Sequence, residues 1–293
     1  MSLDKQSTIA FLGLGAMGSR MATRLLEAGF PVTVYSRTES RTTPLVERGA
    51  SSAKTPRGAA SGAGAVISMV TDDDASRAVW LGDEGALGGI EPDAIAIEAS
   101  TLTPAWAEEL AATVERRGAH FLDAPVVGTR PQAEAGQLIF LVGGAHGALE
   151  AARPALEPLA GGVHHVGAPG RGMAIKLAIN SYFAIQVTAL AEALGLATQN
   201  GIELARAAEI FKALPITAPA LAGVAGQIEA SAFAPLFPID LVAKDLRYVL
   251  EAAASSGSDA PASRAALATY EEARQAGHGD ENISAVARLF VRR

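Results

Sequence analysis

The chain has 293 residues, which is enough for two domains of ordinary size. Hydrophobic residues make up 49% of it and charged residues 19%, a balance that is typical of a packed globular protein and excludes an intrinsically disordered one. The formal net charge of −7 argues against a broad nucleic-acid-binding surface, and the absence of cysteine excludes disulfides, zinc–thiolate sites and thiol nucleophiles.

The first predicted elements are a strand at 8–12, a glycine turn and a helix over 19–26. The turn has the pattern G-x-G-x-x-G, in which the first glycine permits a tight turn, the second lets the backbone approach phosphates, and the third lets helix and strand pack closely. The free N–H groups and partial positive charge of the helix N-terminus favour a dinucleotide pyrophosphate. The candidate cofactor-binding residues of this turn are Gly13, Leu14, Gly15, Ala16, Met17 and Gly18.

The end of the second predicted strand, 31–36, carries the residues that select the dinucleotide. NAD-binding proteins place an acidic residue at this point, where it binds the ribose 2′-OH. This chain has Ser36, Arg37 and Thr38 there. A guanidinium can bind a 2′-phosphate bidentately, whereas a carboxylate would repel it. We therefore predict NADP rather than NAD. The carboxylate of the neighbouring Glu39 would repel a 2′-phosphate, so this prediction requires the Glu39 side chain to point outward.

The remainder of the first half alternates β-like runs with helical segments such as 105–117. This alternation predicts a Rossmann-type α/β domain over residues 1–168, with a parallel-dominated sheet and helices on both faces. Ligands of such sheets bind outside the carboxyl ends of the strands. The further predicted strands are 65–70, 94–98, 120–123, 138–142 and 163–166.

The pattern changes after Gly170. Between residues 173 and 199 there is no proline and a single glycine, and apolar residues recur at helical spacing. We predict a long interdomain helix over about 171–199, followed by further helices, so that an all-α domain for substrate binding and dimerisation spans 169–293. The long helix is apolar on more than one face, which indicates a homodimer or homotetramer.

The second informative segment is 170–180, in which Lys176 and Asn180 stand four residues apart. In a helix this spacing places both side chains on one face, one turn from each other. The lysine can donate a proton to a carbonyl oxygen as hydride arrives, or accept one in the reverse direction. On spacing alone, a surface lysine with a polar neighbour is the commoner arrangement.

Six segments together make the chain resemble the β-hydroxyacid dehydrogenase family. This family includes 3-hydroxyisobutyrate dehydrogenase, tartronate semialdehyde reductase and the glyoxylate/succinic semialdehyde reductases. The resemblance covers nearly the whole chain, and its segments occur in the family's order. They are residues 13–22, 69–73, 98–104, 123–126, 170–180 and 244–246.

The resemblance implies an NADP-dependent oxidoreductase that transfers hydride between the nicotinamide and a small 3-hydroxy acid or its semialdehyde or keto acid. The family's motif lysine is the general acid/base, and its asparagine orients the substrate, so Lys176 and Asn180 take these roles here. Lys244 is implied at the nicotinamide and the substrate, with Asp245 supporting it. Further cofactor contacts are implied for Val70, Thr71, Ser100 and Thr101.

The chain departs from the family where the substrate carboxylate is expected to bind. The family has P-V-S-G-G, and here Val127 replaces the serine, so that a hydroxyl donor is lost. Gly128 and the neighbouring backbone form a possible anion nest, and Thr129 offers another hydroxyl. Arg130 either adds positive charge or faces solvent. We assign Val127, Gly128, Thr129, Asn180, Lys244 and Phe237 to the substrate site.

Two alternative functions stay open at this point. An imine reductase-like enzyme shares the architecture, and the apolar Val127, Phe233 and Phe237 are compatible with it, but such enzymes usually carry another residue in place of Lys176. A non-catalytic cofactor-binding relative is the second alternative, and the intact pair of Lys176 and Asn180 argues against it.

We expect a small carbonyl or hydroxy-acid substrate, and neither a nucleic acid nor a membrane as partner. Residues 1–6 lack the apolar core of a signal peptide, and no uninterrupted apolar run of about 18 residues spans a membrane. A soluble, cytoplasmic protein is therefore predicted. The five histidines match no ligand pattern, so no metal is expected.

Overall fold

The computed structural model describes residues 2–291. The chain divides into two compact units, of which the first ends at Lys176 and the second begins at Leu177. This border lies inside the long helix, whereas we predict a domain limit at 168/169, just before it.

The first unit alternates strands and helices, as predicted. Short 3₁₀ turns at Glu39–Arg41, Ala86–Gly88 and Glu157–Leu159 connect some of them. The strands and helices in chain order are β1 Ile9–Leu12, α1 Gly18–Glu27, β2 Val32–Tyr35, α2 Thr43–Val46, β3 Ser51–Ser52, α3 Pro56–Ala60, β4 Ala65–Ser68, α4 Asp73–Leu81, β5 Ile95–Glu98, α5 Pro104–Glu115, β6 His120–Asp123, β7 Val126–Val127, α6 Arg130–Ala135, β8 Leu138–Gly144, α7 His146–Leu156 and β9 Ala160–Gly167.

The strands form one sheet in the order β3-β2-β1-β4-β5-β6-β8, with β9 pairing to β8. The strands from β3 to β6 pair in parallel, and β8 runs antiparallel to β6 and β7 and parallel to β9. The prediction of a parallel-dominated sheet is thus confirmed. Strands β1, β4 and β5 therefore end at the same edge, with β1 between β2 and β4.

Two short strands are absent from the sequence-based prediction. One is β3, which has two exposed residues at the sheet margin. The other is β7, which continues the antiparallel register of β6 on β8, since Asp123 pairs with Gly143 and Val126 with Phe140. Pro125 lies between β6 and β7 and interrupts their pairing with β8, because it has no N–H to donate. Its carbonyl oxygen still accepts from the Leu141 amide of β8 at 3.0 Å.

Side chains of the central strands alternate between two apolar layers. In β1, Ile9 and Phe11 belong to the layer that contains helices α1 and α7, while Ala10 and Leu12 belong to the layer that contains Trp80 and α5. Both faces of the sheet are covered, so every β1 side chain is buried. This explains why these strands are continuous apolar runs in the sequence.

Helices make up the second unit and are joined by short connections. Within the described residues it contains most of α8, followed by four α-helices and a 3₁₀ helix. Its core includes Val187, Leu190 and Leu194 of α8 together with the buried Tyr270. The predicted all-α region is confirmed. The elements are α8 Arg171–Gln199, α9 Leu204–Ala213, α10 Pro219–Ala230, α11 Ile239–Ser255, α12 Pro261–Gln275 and a 3₁₀ helix at Ile283–Leu289.

Helix α8 is long and apolar enough to cross a membrane by length and composition. Half of its most apolar window is nevertheless buried inside the protein, which is typical of a core helix of a soluble protein.

Candidate active site

The glycine turn after β1 combines two glycines that the protein itself requires with one that it does not. Gly13 has φ +96°, and a Cβ there would overlap the carbonyl oxygen of Met69. A Cβ at Gly18 would overlap the carbonyl oxygen of Gly13, so helix and strand pack closely at this point. A Cβ at Gly15 would meet nothing within 4 Å. The backbone at Gly15 therefore borders open space, which fits the close approach of a phosphate.

Backbone donors surround this open space. Within residues 2–291, the amides of Gly15, Ala16 and Met17 donate no intramolecular hydrogen bond. Helix α1 has no side-chain cap and no acidic residue in its first turn. The donors and the positive end of the helix dipole are thus available to an anion, and the turn fits the pyrophosphate of a dinucleotide.

The turn after β2 presents an uncompensated guanidinium. Arg37 is exposed, and neither Arg37 nor Glu39 forms an ion pair within the part of the chain that the structure describes. The Thr38 amide donates to the Ser36 hydroxyl at 3.3 Å, which shapes the turn. The Arg37 side chain is therefore available to a phosphate at this edge of the sheet.

The turns after β4 and β5 are tied to each other. The Val70 amide donates to the Ser100 hydroxyl oxygen at 2.8 Å, and the Asp73 carboxylate accepts from the amide and the hydroxyl of Thr103 at 3.0 and 2.6 Å. Ser100 is buried, so its side chain holds the neighbouring turn in place. Thr71 is exposed and Thr101 is half-buried. The turn after β4 adjoins the glycine turn, because a Cβ at Gly13 would overlap the carbonyl oxygen of Met69.

Asp123, at the end of β6, anchors the start of α8. Its carboxylate accepts from the amides of Gly170 and Met173, each at 2.9 Å, and a Cβ at Gly172 would crowd it. Burial raises the pKa of Asp123 to about 6, although the hydrogen bonds from Met173 and Gly170 favour the charged form. In the sequence, Asp123 stands out only as the first residue of the family segment 123–126, and no local pattern indicates this anchoring role.

Lys176 lies on α8 beyond this anchor and is only 8% exposed. The structure therefore contradicts the commoner arrangement of a surface lysine. Asn180 follows one turn later on the same helix and is also buried. Lysine is rarely buried without a specific reason, so this position is a candidate for chemistry.

Within the second unit, Asn180 is held by an acidic side chain of α11. Its Nδ2 donates to Asp245 Oδ2 at 2.6 Å, and Asp245 Oδ1 lies 3.1 Å from Lys244 Nζ. That ion pair lacks hydrogen-bond geometry, and Asp245 Oδ1 has no hydrogen-bond donor within residues 2–291. Lys244 Nζ also lies 4.9 Å from the centre of the Tyr248 ring. The amide of Asn180 is thus oriented by a buried carboxylate.

The loop where the chain departs from the family uses its own donors locally. The amide and the hydroxyl of Thr129 both donate to Gln132 Oε1 at 2.9 Å. Val127 and Arg130 are half-buried, and Arg130 forms no ion pair within the described residues. The hydroxyl that we predicted as a replacement donor is therefore engaged, while the guanidinium is not.

Phe237 is the remaining residue that we assigned to the substrate site. It is partly buried against the core of the second unit, just before α11, and its amide donates to Asn282 Oδ1 at 3.0 Å. Among residues 2–291 there is no cluster of three or more histidine, aspartate or glutamate side chains that could hold a metal ion.

The sheet with its glycine turn and the buried lysine on the helix that follows fit an NAD(P)-dependent oxidoreductase. Two family models match the chain. Residues 8–167 match the NAD-binding domain of 6-phosphogluconate dehydrogenase, and residues 170–290 match the NAD-binding region of NADP-dependent 3-hydroxyisobutyrate dehydrogenase. The chain belongs to the β-hydroxyacid dehydrogenase family, as its sequence motifs predict.

Similar proteins extend over nearly the whole chain. The NAD-dependent L-serine dehydrogenase of Pseudomonas aeruginosa is 38% identical over 96% of this chain and 97% of its own length. The glyoxylate/succinic semialdehyde reductase 2 of Arabidopsis thaliana is 33% identical over 95% of this chain and 78% of its own. The structure of Mycobacterium tuberculosis 3-hydroxyisobutyrate dehydrogenase with L-serine has a TM-score of 0.89 and 32% identity, with 97% and 99% of the two chains covered.

Proposed function

We propose that this protein is an NADP-dependent oxidoreductase that transfers hydride between the nicotinamide and a small 3-hydroxy acid or its semialdehyde or keto acid. The observation that carries the proposal is the buried Lys176, placed one helical turn before Asn180 on a helix whose start is fixed by Asp123. The dehydrogenases and reductases that this chain is similar to support the same reaction class.

The choice of NADP is supported by the turn after β2. Arg37 is exposed and has no acidic partner within residues 2–291, and the position of the acidic residue of NAD-binding proteins is taken by Ser36. A 2′-phosphate would give this guanidinium its missing counter-charge. The L-serine dehydrogenase relative is NAD-dependent by name, so the preference has to be measured on this protein.

Each part of the chain has a separate role in the proposed mechanism. When bound, NADPH supplies the hydride. The amides of the glycine turn bind its pyrophosphate, and the turns that carry Thr71 and Thr101 border it. Lys176 donates a proton to the carbonyl oxygen of the substrate as the carbonyl carbon is reduced, and accepts it in the reverse direction. Asn180, oriented by Asp245, holds the oxygen of the substrate.

Lys244 has a second proposed role, at the nicotinamide and the substrate. The Lys244 side chain is 11% exposed, and its Nζ lies 3.1 Å from the carboxylate of Asp245, which orients Asn180. We further propose a soluble, cytoplasmic location.

The proposed function predicts that Lys176→Ala binds NADPH normally but loses turnover. Removal of a general acid costs about 10²- to 10⁴-fold in kcat. Oxidation of NADPH is followed with small semialdehydes and keto acids, with NADH in parallel and with cyclic imines as the test of imine reductase activity. Lys5→Ala, at an exposed lysine before the start of β1 and so at the opposite edge of the sheet, is the control.

Three outcomes would contradict parts of this proposal. Near-normal kcat in Lys176→Ala removes the acid/base assignment. A strong preference of the wild-type protein for NADH overturns the role of Arg37. Cofactor binding without turnover on any carbonyl compound points to the non-catalytic alternative.

A further inference from the structure

A charged side chain of the first unit has no part in the mechanism above. Glu98 is the last residue of β5 and is fully buried. Its Oε2 accepts from the Ser76 hydroxyl at 2.7 Å and from Trp80 Nε1 at 2.9 Å. Its Oε1 accepts from the Ser100 amide at 3.0 Å. Both oxygens of the carboxylate are therefore used.

No cation compensates this carboxylate. Within the described chain, residues 2–291, no lysine, arginine or histidine forms an ion pair with Glu98. Burial of a charge is costly unless hydrogen bonds replace the lost water, and an apolar side chain of similar volume would often be more stable. Three neutral donors make the charge tolerable, but they do not explain why a carboxylate is present at this position.

The hydrogen bonds of Ser100 indicate what the carboxylate does. The amide of Ser100 donates to Glu98, while its hydroxyl oxygen accepts from the Val70 amide at 2.8 Å. Glu98 thus holds the turn after β5, and through Ser100 it holds the turn after β4. These two turns carry Thr71 and Thr101, and Val70 of the first one borders Gly13 of the glycine turn.

We propose that Glu98 is a positioning residue for the cofactor. Its carboxylate fixes Ser100, and Ser100 fixes the Val70 turn, so that both turns are held in the conformation that binds NADPH before the cofactor arrives. Binding then costs less ordering of the loops, which raises affinity without touching the proton-transfer step. This inference rests on the proposed function, since it assumes a nicotinamide dinucleotide at this edge of the sheet.

The same cluster contains both tryptophans of the chain. Trp80 Nε1 donates to Glu98 and also lies 3.1 Å from the Ser68 hydroxyl, and Trp106 Nε1 donates to the Ser76 hydroxyl at 2.9 Å. The intrinsic fluorescence of the protein therefore reports on the surroundings of this carboxylate.

Glu98→Gln is the decisive variant. A carboxamide has one acceptor oxygen and one donor nitrogen, so it cannot accept from Ser100 on one side and from Ser76 and Trp80 on the other. We expect the Kd for NADPH, measured by fluorescence titration without substrate, to rise about tenfold, and kcat at saturating NADPH to stay within about threefold of wild type. The tryptophan emission of the free protein should shift as well.

Two further variants separate positioning from general loss of stability. Ser100→Ala removes the acceptor of the Val70 amide. The double variant Glu98→Gln/Ser100→Ala should have an NADPH Kd no higher than that of the single variant with the higher Kd, because both substitutions act through the same hydrogen bond to the Val70 turn. Trp106→Phe is the matched control. It alters the same buried cluster but leaves the hydrogen bonds of Glu98 intact, so it should change emission and thermal stability with NADPH affinity unchanged.

The proposal is overturned if Glu98→Gln lowers the melting temperature but keeps the NADPH Kd within twofold of wild type. It is also overturned if the Glu98→Gln and Ser100→Ala effects on Kd are additive. If Glu98→Gln does not fold, an NADPH Kd of Ser100→Ala equal to that of the wild type overturns the proposal instead. Absence of turnover in the wild-type protein would count against the proposed function alone, since the Kd titration needs no reaction.

Discussion

Arg130 lies in the loop where this chain departs from the family's P-V-S-G-G, and it supplies a positive charge to that loop. It is one turn before Glu134 in α6, and Glu134 pairs with Arg20 of α1 at 2.6 Å. Gly136, just after α6, lies against the Arg24 side chain of the same helix, so α6 runs alongside α1 in the same direction and its start lies towards the glycine turn that precedes α1. Val127 offers no hydroxyl, and the donors of Thr129 are engaged with Gln132. The Arg130 guanidinium forms no ion pair within residues 2–291 and is the cationic side chain that this loop can offer to a substrate carboxylate.

This residue-scale argument predicts a selective loss in Arg130→Ala. We expect KM for a carboxylate-bearing semialdehyde to rise about 10- to 100-fold, since hydrogen bonds to charged groups contribute about 1.5–3 kcal/mol. KM for NADPH and for an uncharged aldehyde should stay unchanged. Adding Val127→Ser to this variant should recover part of the loss. A rise in KM for NADPH instead would place Arg130 on the cofactor.

Single residues also show which part of the site can be predicted from sequence. The glycine turn and the shared helix face of Lys176 and Asn180 can be predicted because glycine spacing and an i, i+4 pair are local patterns. Glu98 was noticed only as part of a family motif, and no local signal indicates that its carboxylate is buried beneath Ser100. Thr129 was predicted to supply a hydroxyl, and the three-residue distance to Gln132 was the signal that it could be used locally.

At the scale of elements, α8 depends on a carboxylate from β6. The Asp123 carboxylate accepts from the amide of Gly170, just before α8, and from that of Met173 in the first turn of α8, about one turn before Lys176. The anchor fixes the start of the helix against the sheet of the first unit. Burial nevertheless raises the pKa of Asp123 to about 6 from an ordinary value of 3.8.

The raised pKa gives a prediction with a definite sign. The folded protein binds the Asp123 proton more tightly than the unfolded chain, so this stabilising contribution is complete below about pH 4 and is lost as pH rises through about 6. Relative to Asp123→Asn, the free energy of unfolding of the wild type should fall by the order of 2 kcal/mol across this range, at about 1.4 kcal/mol per pKa unit.

Urea unfolding of the two proteins between pH 4 and pH 7 measures this difference. Asn has no titrating carboxyl, so other groups cancel in the comparison. A relative stability that rises with pH would show that the amides of α8 outweigh burial and lower the pKa of Asp123.

The elements themselves were mostly predictable. The buried strands and the helices have strong periodicity, and the observed bounds differ from the predicted ones by one or two residues in β1, β2, β4 and β5. Strands β3 and β7 were missed because two residues give no periodic pattern. These strands exist because they pair with β2 and β8, and a pattern within a few residues of sequence carries no information about such partners.

At the scale of the whole molecule, α8 presents an apolar stripe that no other part of residues 2–291 covers. Ile175, Tyr182 and Leu196 are 40%, 70% and 66% exposed, and they recur at multiples of seven residues. In a helix this spacing forms one stripe, as in paired helices. We propose that a second copy of the chain packs on it, in a homodimer or homotetramer.

Tyr182→Glu should therefore weaken self-association. A charge in the middle of an apolar interface costs at least the lost burial of the aromatic ring, about 1.5–3 kcal/mol, so we expect the dissociation constant to rise 10-fold or more. Light scattering after size-exclusion chromatography over a range of protein concentrations measures it. Leu81→Glu, at another exposed apolar residue outside α8, is the control. A monomeric wild-type protein would contradict the proposed assembly.

The sequence by itself determined the fold class, the family, the glycine turn and the pair of Lys176 and Asn180, because these depend on spacings of a few residues along one strand or helix. Only the tertiary structure decided which side chains fix the start of α8 and orient Asn180 through hydrogen bonds. Asp123 bonds Met173 across 50 positions of sequence, and Asn180 bonds Asp245 across 65. Such pairs leave no periodic trace, because their geometry exists only after the sheet and the helices have packed.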